Sequence, residues 1–208
     1  MSFTSFFSKQ ARKPSGFFGK LVMARIFDKG NVAVNDLMKA ALDMQADDRV
    51  LEIGFGTGKL IAELARRIDG GMIEGIDFSK EMTALAAKKN KTHITRGKVI
   101  LRQGNFEETE FGFERFDKAC SANTIYFWPD PDHWTRKIHA LLKPGGKLVI
   151  AFEDQAQLRQ KPLDKGVFRI YSRAEIESLL NRNGFAESVA FTSRKIGTQI
   201  FHCATALK

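Results

Sequence analysis

Cysteine is almost missing from this chain, with two residues, Cys120 and Cys203, in 208. Two thiols in separate apolar runs build neither a disulfide framework nor a thiolate metal cluster. Histidine is scarce as well, at four. His93, in a basic loop, and His133, His139 and His202 show no H-E-x-x-H spacing, so structural or surface roles are expected of them, and no G-x-S-x-G elbow is present. Metal-assisted hydrolysis and serine-nucleophile chemistry therefore lose their usual carriers, and no metal site is expected. No apolar run is long enough to span a bilayer. Residues Met1 to Lys9 lack the continuous apolar segment and small-residue cleavage site of a secretory signal. A cytoplasmic protein is expected, although a basic, acid-poor start with Ser and Phe also has the composition of an organellar transit peptide.

What is present suits one α/β domain. At 208 residues and 43% hydrophobic content the chain can fill a single core and is short for two. Apolar runs and helical stretches alternate, the pattern of a parallel sheet covered on both faces. Strands are expected near 48–53, 72–76, 97–102, 115–121, 146–152, 185–192 and 198–206. Helices are expected near 31–44, 58–68, 79–90, 131–142 and 173–183, the last capped by Ser172. Residues 192–197 leave no room for a helix, so the last two strands must form an antiparallel hairpin.

The most informative stretch is Val50-Leu51-Glu52-Ile53-Gly54-Phe55-Gly56-Thr57-Gly58, an apolar strand running into a loop with glycine at every second position. Glycine reaches positive φ cheaply and leaves space against the backbone, so such a loop suits close approach to a ligand. The helix expected from Lys59 points free N–H groups at the same spot. A phosphate-cradling G-x-x-x-x-G-K-[ST] loop fails twice, at Ile53 and Leu60. The dinucleotide fingerprint G-x-G-x-x-G meets Lys59 or Ile61 where its third glycine belongs, which weakens a nicotinamide-dependent reductase without closing it.

Three further blocks follow in order. Ile73-Glu74-Gly75-Ile76-Asp77 ends in an acid about 20 residues past the glycines, where open α/β sheets place a ribose-binding carboxylate. Phe116 to Asn123 leads into Ile125-Tyr126-Phe127-Trp128-Pro129-Asp130-Pro131, and Leu141-Leu142-Lys143-Pro144-Gly145-Gly146 precedes another apolar run. With Glu52-x-Gly-x-Gly-x-Gly, these blocks over residues 45–152 resemble the class I S-adenosylmethionine-dependent methyltransferases, and the chain is similar to their type 11, ubiquinone-biosynthesis-like branch. The resemblance implies a Rossmann-like three-layer sandwich with a mostly parallel seven-stranded sheet and an antiparallel last strand. It implies S-adenosyl-L-methionine as cofactor and a small, partly apolar acceptor, with a non-catalytic methyltransferase-like binding module as a further alternative.

The resemblance also assigns residues. Glu52 with Gly54, Gly56 and Gly58 would face the cofactor's amino-acid end, and Asp77 the ribose, a helix N-cap being its bland alternative. Phe78 could pack on the adenine face or serve only as a core phenylalanine, and Phe106 is counted with the cofactor-binding residues. Asn105 stands where the family usually has an acid for the adenine amino group, and its amide oxygen can accept the same hydrogen. Ala122 and Asn123, at a strand end, would line the methionine end, and Tyr126 is the candidate for acceptor positioning. Phe127 and Trp128 could wall the acceptor or only seal a helix onto the sheet.

Charge is uneven. Residues 1–30 hold six basic residues against Asp28, and Lys88, Lys89, Lys91, Arg96, Lys98 and Arg102 form a run with no acid among residues 88–102. Such runs suit nucleic acid or an anionic surface, yet solvated helix ends explain them more simply. Methyltransferases acting on bases often carry an Asn/Asp-Pro-Pro-aromatic tetrad where this chain reads Asn123-Thr124-Ile125-Tyr126. Nucleic acid is thus not the expected partner, and no obligatory protein partner is evident. Residues 1–30 read as a helical lid ahead of a domain at 31–208, with aromatic and basic residues that also fit a peripheral membrane contact. The connection 153–171 offers additional acceptor contacts.

Overall fold

The computed structural model describes residues 3–16, 25, 31–185 and 189–208, so most of the expected lid beyond residue 16 lies outside the described residues. Among those described, seven strands form one sheet in the order β3-β2-β1-β4-β5-β7-β6. They are β1 Arg49–Ile53, β2 Met72–Asp77, β3 Val99–Gln103, β4 Phe116–Ala122, β5 Leu142–Glu153, β6 Ala190–Ile196 and β7 Gln199–Leu207. β1 to β5 run parallel, and β7 lies antiparallel between β5 and β6.

The helices are α1 Phe3–Arg12, α2 Val32–Leu42, α3 Lys59–Leu64, α4 Lys80–Lys89, α5 Lys91–Thr95, α6 Pro131–Leu141, α7 Gln155–Arg159 and α8 Arg173–Asn181. Their starts follow local chemistry. Ser79, Asp130 and Ser172 accept N–H bonds from Met82, His133 and Glu175, and Glu175 reaches back to the Ser172 backbone, a capping box worth about 1 kcal/mol.

Successive strand residues point into opposite layers, because side chains alternate along a strand. Leu148, Ile150 and Phe152 join a core with Ile138 of α6 and Ile176 and Leu179 of α8. Val149 and Ala151 join the other core, with Leu37 and Met38 of α2, Leu60 of α3 and Ala86 of α4. Three layers result, as the periodicity implied, and both cysteines lie buried as free thiols in β4 and β7.

Several boundaries differ from the sequence expectation, each for a physical reason. β6 lies at 190–196 and the hairpin turns at Gly197-Thr198, because Ile196 pairs with Gln199. Thr192, Ser193, Arg194 and Lys195 looked like a connection because an edge strand exposes its polar side chains. The Pro144-Gly145-Gly146 turn is a bulge inside β5, between the Phe116–Leu142 and Lys118–Lys147 pairs. His93 sits in the short helix α5 and not in a loop, and the connection after β5 contains α7, capped by Asp154.

The amino-terminal edge of the sheet is pinned by one buried cation. Lys118 Nζ lies 2.5 Å from Asp48 Oδ2 and donates to the Asp43 carbonyl at 2.5 Å. Removing one partner of a buried pair leaves the other charge unpaired. Lys118→Met should therefore cost roughly 3 kcal/mol of unfolding free energy. Denaturant titration checks this, with ligand binding at the opposite edge of the sheet left intact.

Candidate active site

Strand order reverses between β1 and β4, so the loops leaving their carboxyl ends meet at the topological switch point, where open α/β sheets bind ligands. The glycine loop is held there from three sides. Gly54 N–H donates to the Ile76 carbonyl at 2.8 Å and Gly58 N–H to Phe55 at 2.9 Å. A Cβ on Gly54, at φ +76°, would stand 2.4 Å from Thr124 Cγ2. One on Gly58 would stand 2.7 Å from Ala86 Cβ and 2.8 Å from Asn90 Nδ2, the amide that donates to the Gly58 carbonyl at 3.0 Å. For these two glycines the close neighbour is the protein itself. α3 has only six residues, so its dipole adds less than the sequence implied.

The loop borders a cavity of about 650 Å³, within the usual range for small-molecule sites. Of the residues singled out from sequence, Glu52, Gly54, Gly56, Asp77, Phe78, Asn105, Phe106, Ala122, Asn123 and Tyr126 all line it. Gly58 is the exception and packs against α4.

Two buried carboxylates govern the electrostatics. Asp77 accepts from Gly56 N–H and Ser79 N–H, each at 2.9 Å, while Ser79 takes the cap position of α4. Burial raises the Asp77 pKa to about 6 against the lowering effect of those two bonds. Glu52 is raised to about 8, first by burial and then by the charges of Asp77 and Glu63. Its Oε2 finds no hydrogen-bond partner among the described residues. An orphaned carboxylate oxygen beside a second acid is the chemistry of a seat for a cation with N–H donors.

Opposite these acids the cavity is aromatic. Phe127 and Phe168 meet edge to face at 4.7 Å between ring centres, and Phe168 lies 5.9 Å from Tyr126. Phe106 packs on Trp134 at 4.9 Å, and Asn105 uses its amide locally, accepting from Glu107 N–H at 3.1 Å. Asn123 holds a left-handed φ of +57°, which asparagine tolerates better than most residues. It donates to Asn31 Oδ1 at 3.1 Å and accepts from the Tyr126 hydroxyl at 3.3 Å, while Tyr126 itself accepts from Glu153 N–H at 2.5 Å. With burial also raising its pKa, the Tyr126 phenol stays protonated and is no general base.

Trp134 was not singled out from sequence, while Glu153 and Phe168 were covered only as part of the connection 153–171, and Phe7 and Ala11 of α1 only as part of residues 1–30; all five line the cavity. Glu153 could have been found, since it ends an apolar strand at the ligand-binding edge. Phe168 and the individual α1 residues have no comparable strand-end signal of their own.

A family profile described as "Methyltransferase domain" matches residues 50–146. The uncharacterized methyltransferase YdaC of Bacillus subtilis is 28% identical over 188 residues, covering 90% of this chain and 98% of that protein. The demethylmenaquinone methyltransferase of Alkalihalophilus pseudofirmus is 30% identical over 139 residues, 66% of this chain and 57% of that protein. Among solved structures, phosphoethanolamine N-methyltransferase 2 of Haemonchus contortus, in complex with phosphomonomethylethanolamine and S-adenosylhomocysteine, aligns with a TM-score of 0.75 at 18% identity. That alignment covers 97% of this chain and 60% of the other, and it supports the fold. Residues 50–146 thus form a methyltransferase domain of the S-adenosylmethionine-dependent kind, and the nicotinamide reading finds no support.

Two outcomes follow from the site's geometry. Gly54→Ala should lower the melting temperature well beyond Gly97→Ala, since both have positive φ but a Cβ on Gly97 meets nothing within 4 Å. Thermal denaturation of the two variants tests the crowding. The second concerns Glu52, whose folded pKa of about 8 lies above its unfolded value. The folded state then holds more protons between about pH 4.5 and 8, so stability without ligand falls as pH rises through that window. Glu52→Gln should flatten the decline, measured as melting temperature against pH.

Proposed function

We propose that this methyltransferase transfers a methyl group from S-adenosyl-L-methionine to a small, partly apolar acceptor. The observation that carries the reading is the orphaned Glu52 carboxylate facing the same cavity as Asp77. When bound, the cofactor supplies an activated methyl group on a sulfonium. Glu52 would take the α-ammonium, and the backbone of Gly54, Gly56, Ala122 and Asn123 would border the amino-acid end. Asp77 would hold the ribose hydroxyls, because its two oxygens keep lone pairs beyond those used by Gly56 and Ser79. Phe78 and Phe106 would flank the adenine and Asn105 accept from its amino group, while Gly58 serves the loop's shape.

Tyr126 would position the acceptor with its ring, alongside Phe127 and Phe168. Orientation and exclusion of water supply most of the acceleration in such transfers, up to roughly 7–11 kcal/mol. Residues 1–30 serve in this reading as a lid on a domain at 31–208. In support, Phe7 and Ala11 of α1 line the cavity, Ser8 Oγ accepts from Asp164 N–H at 3.1 Å, and Ser79 Oγ donates to the Pro14 carbonyl at 2.7 Å. Relatives named for demethylmenaquinone methylation support a small, partly apolar acceptor. Nucleic acid is left out, in keeping with Lys98 and Arg102 turning to Asp69 and Glu74. Exposed Phe6 on a helix ending in Lys9 and Arg12 supports a peripheral membrane contact. A cytoplasmic location completes the reading; among the described residues no helix is long and apolar enough to cross a membrane.

Asp77→Ala should abolish saturable cofactor binding in calorimetry, and unaltered binding would sink the assignment. In the intact protein, affinity for the cationic cofactor should rise with pH through about 6 and on towards about 8, as Asp77 and then Glu52 ionise. Uncharged-sulfur S-adenosylhomocysteine should show a shallower rise.

A further inference from the structure

Within the cavity Glu153 and Lys161 form an ion pair. Glu153 ends β5 and is 6% exposed. Both its oxygens face Lys161 Nζ, at 2.5 and 2.7 Å, and Gln199 Nε2 donates to Oε1 at 3.1 Å. Both members of the pair line the cavity, beside Leu158, Leu163 and Phe168. The two ends differ in freedom. Glu153 is fixed by its backbone bond to Tyr126 and by Gln199, whereas Lys161 hangs from the connection after α7 with its side chain 37% exposed. Asp154, the next residue in sequence, is engaged by His202 of the neighbouring strand β7 at 3.1 Å, and among the described residues Glu153 and Lys161 form no other ion pair.

A cationic acceptor would meet the Lys161 ammonium, and a wholly apolar one would bury the pair without exchange for its solvation. An acceptor that is neutral when it arrives and anionic when it reacts suits both partners. Resting on the methyltransferase reading, we infer that the Glu153–Lys161 pair selects and activates an acceptor bearing an acidic hydroxyl on an aromatic ring. The ring lies against Phe127 and Phe168. The O–H bond breaks and its proton adds to a Glu153 oxygen. Lys161 then exchanges the neutralised carboxyl for the new oxyanion, so the charge of the group is conserved. The oxyanion bonds the methyl carbon as the carbon–sulfur bond of the donor breaks, leaving a neutral thioether, and Glu153 releases its proton to water.

The test uses 4-nitrophenol as probe on protein saturated with S-adenosylhomocysteine, reading the yellow phenolate against pH. Wild type should bind the probe, and the two variants should move its bound pKa in opposite directions. Lys161→Met leaves Glu153 facing the phenolate and should raise that pKa by about one unit, a tenfold loss of phenolate at fixed pH. Glu153→Gln leaves Lys161 without its carboxylate and should lower it by a similar amount. Lys161→Arg should restore wild-type behaviour. Shifts of the same sign, no shift, or tighter binding of 4-nitroaniline than of 4-nitrophenol would overturn the inference. Calorimetry with S-adenosylhomocysteine separates the levels: normal binding in every variant shows the fold and donor site intact, and failure in wild type removes the methyltransferase reading together with this one.

Discussion

The contact between Gly54 and Thr124 is the constraint on which the site depends. Parallel strands β1 and β4 lie side by side while their following segments depart to opposite faces of the sheet, so the two loops must pass each other within a van der Waals diameter. Only a residue without a Cβ lets the first loop clear the second. Ser121 Oγ, donating to the Ile53 carbonyl at 3.0 Å, holds the strand ends in the register that makes the crossing tight. Once the loop is held there, Gly56 N–H reaches Asp77 and the cavity has its floor.

That floor is electrostatically unfavourable without a cation. Glu52 and Asp77 are both buried, each shifted towards its neutral form, and one oxygen of Glu52 has no partner among the described residues. Folding alone would be better served by apolar residues at position 52. Strain of this kind at a binding site is relieved by the ligand, and differential interaction is what makes binding selective for charge. The same acids therefore weaken the protein without ligand and, in the proposed reading, favour a cationic one.

How much of this was legible in the sequence depends on whether the cause was local. Glycine spacing, the strand-end acid and the Ser172 cap are set by backbone rules that act over a few residues, and the structure places them where expected, with seven strands and the last one antiparallel. β6 was misplaced because an exposed edge strand lacks the apolar signature of a covered one. Phe168, Lys161 and α1 reach the cavity only through tertiary packing, across more than a hundred residues in the case of Ser8 and Asp164. The purpose of Gly54 was half read: its conformation followed from sequence, but the neighbour that requires it, Thr124, belongs to a loop 70 residues away.

The hydrogen bonds from Glu153 through Tyr126 and Asn123 to Asn31 all point one way, each group donating to the next. Position 123 must consequently accept on one side, donate on the other and sit at positive φ. Aspartate would meet Asn31 oxygen to oxygen, glycine would supply the backbone but neither bond, and leucine none of the three. Among homologous chains that keep this polar relay, a one-letter change at 123 should be accompanied by changes at 31 or 126, so the relay writes a covariation signature linking the start of α2 to the end of β5.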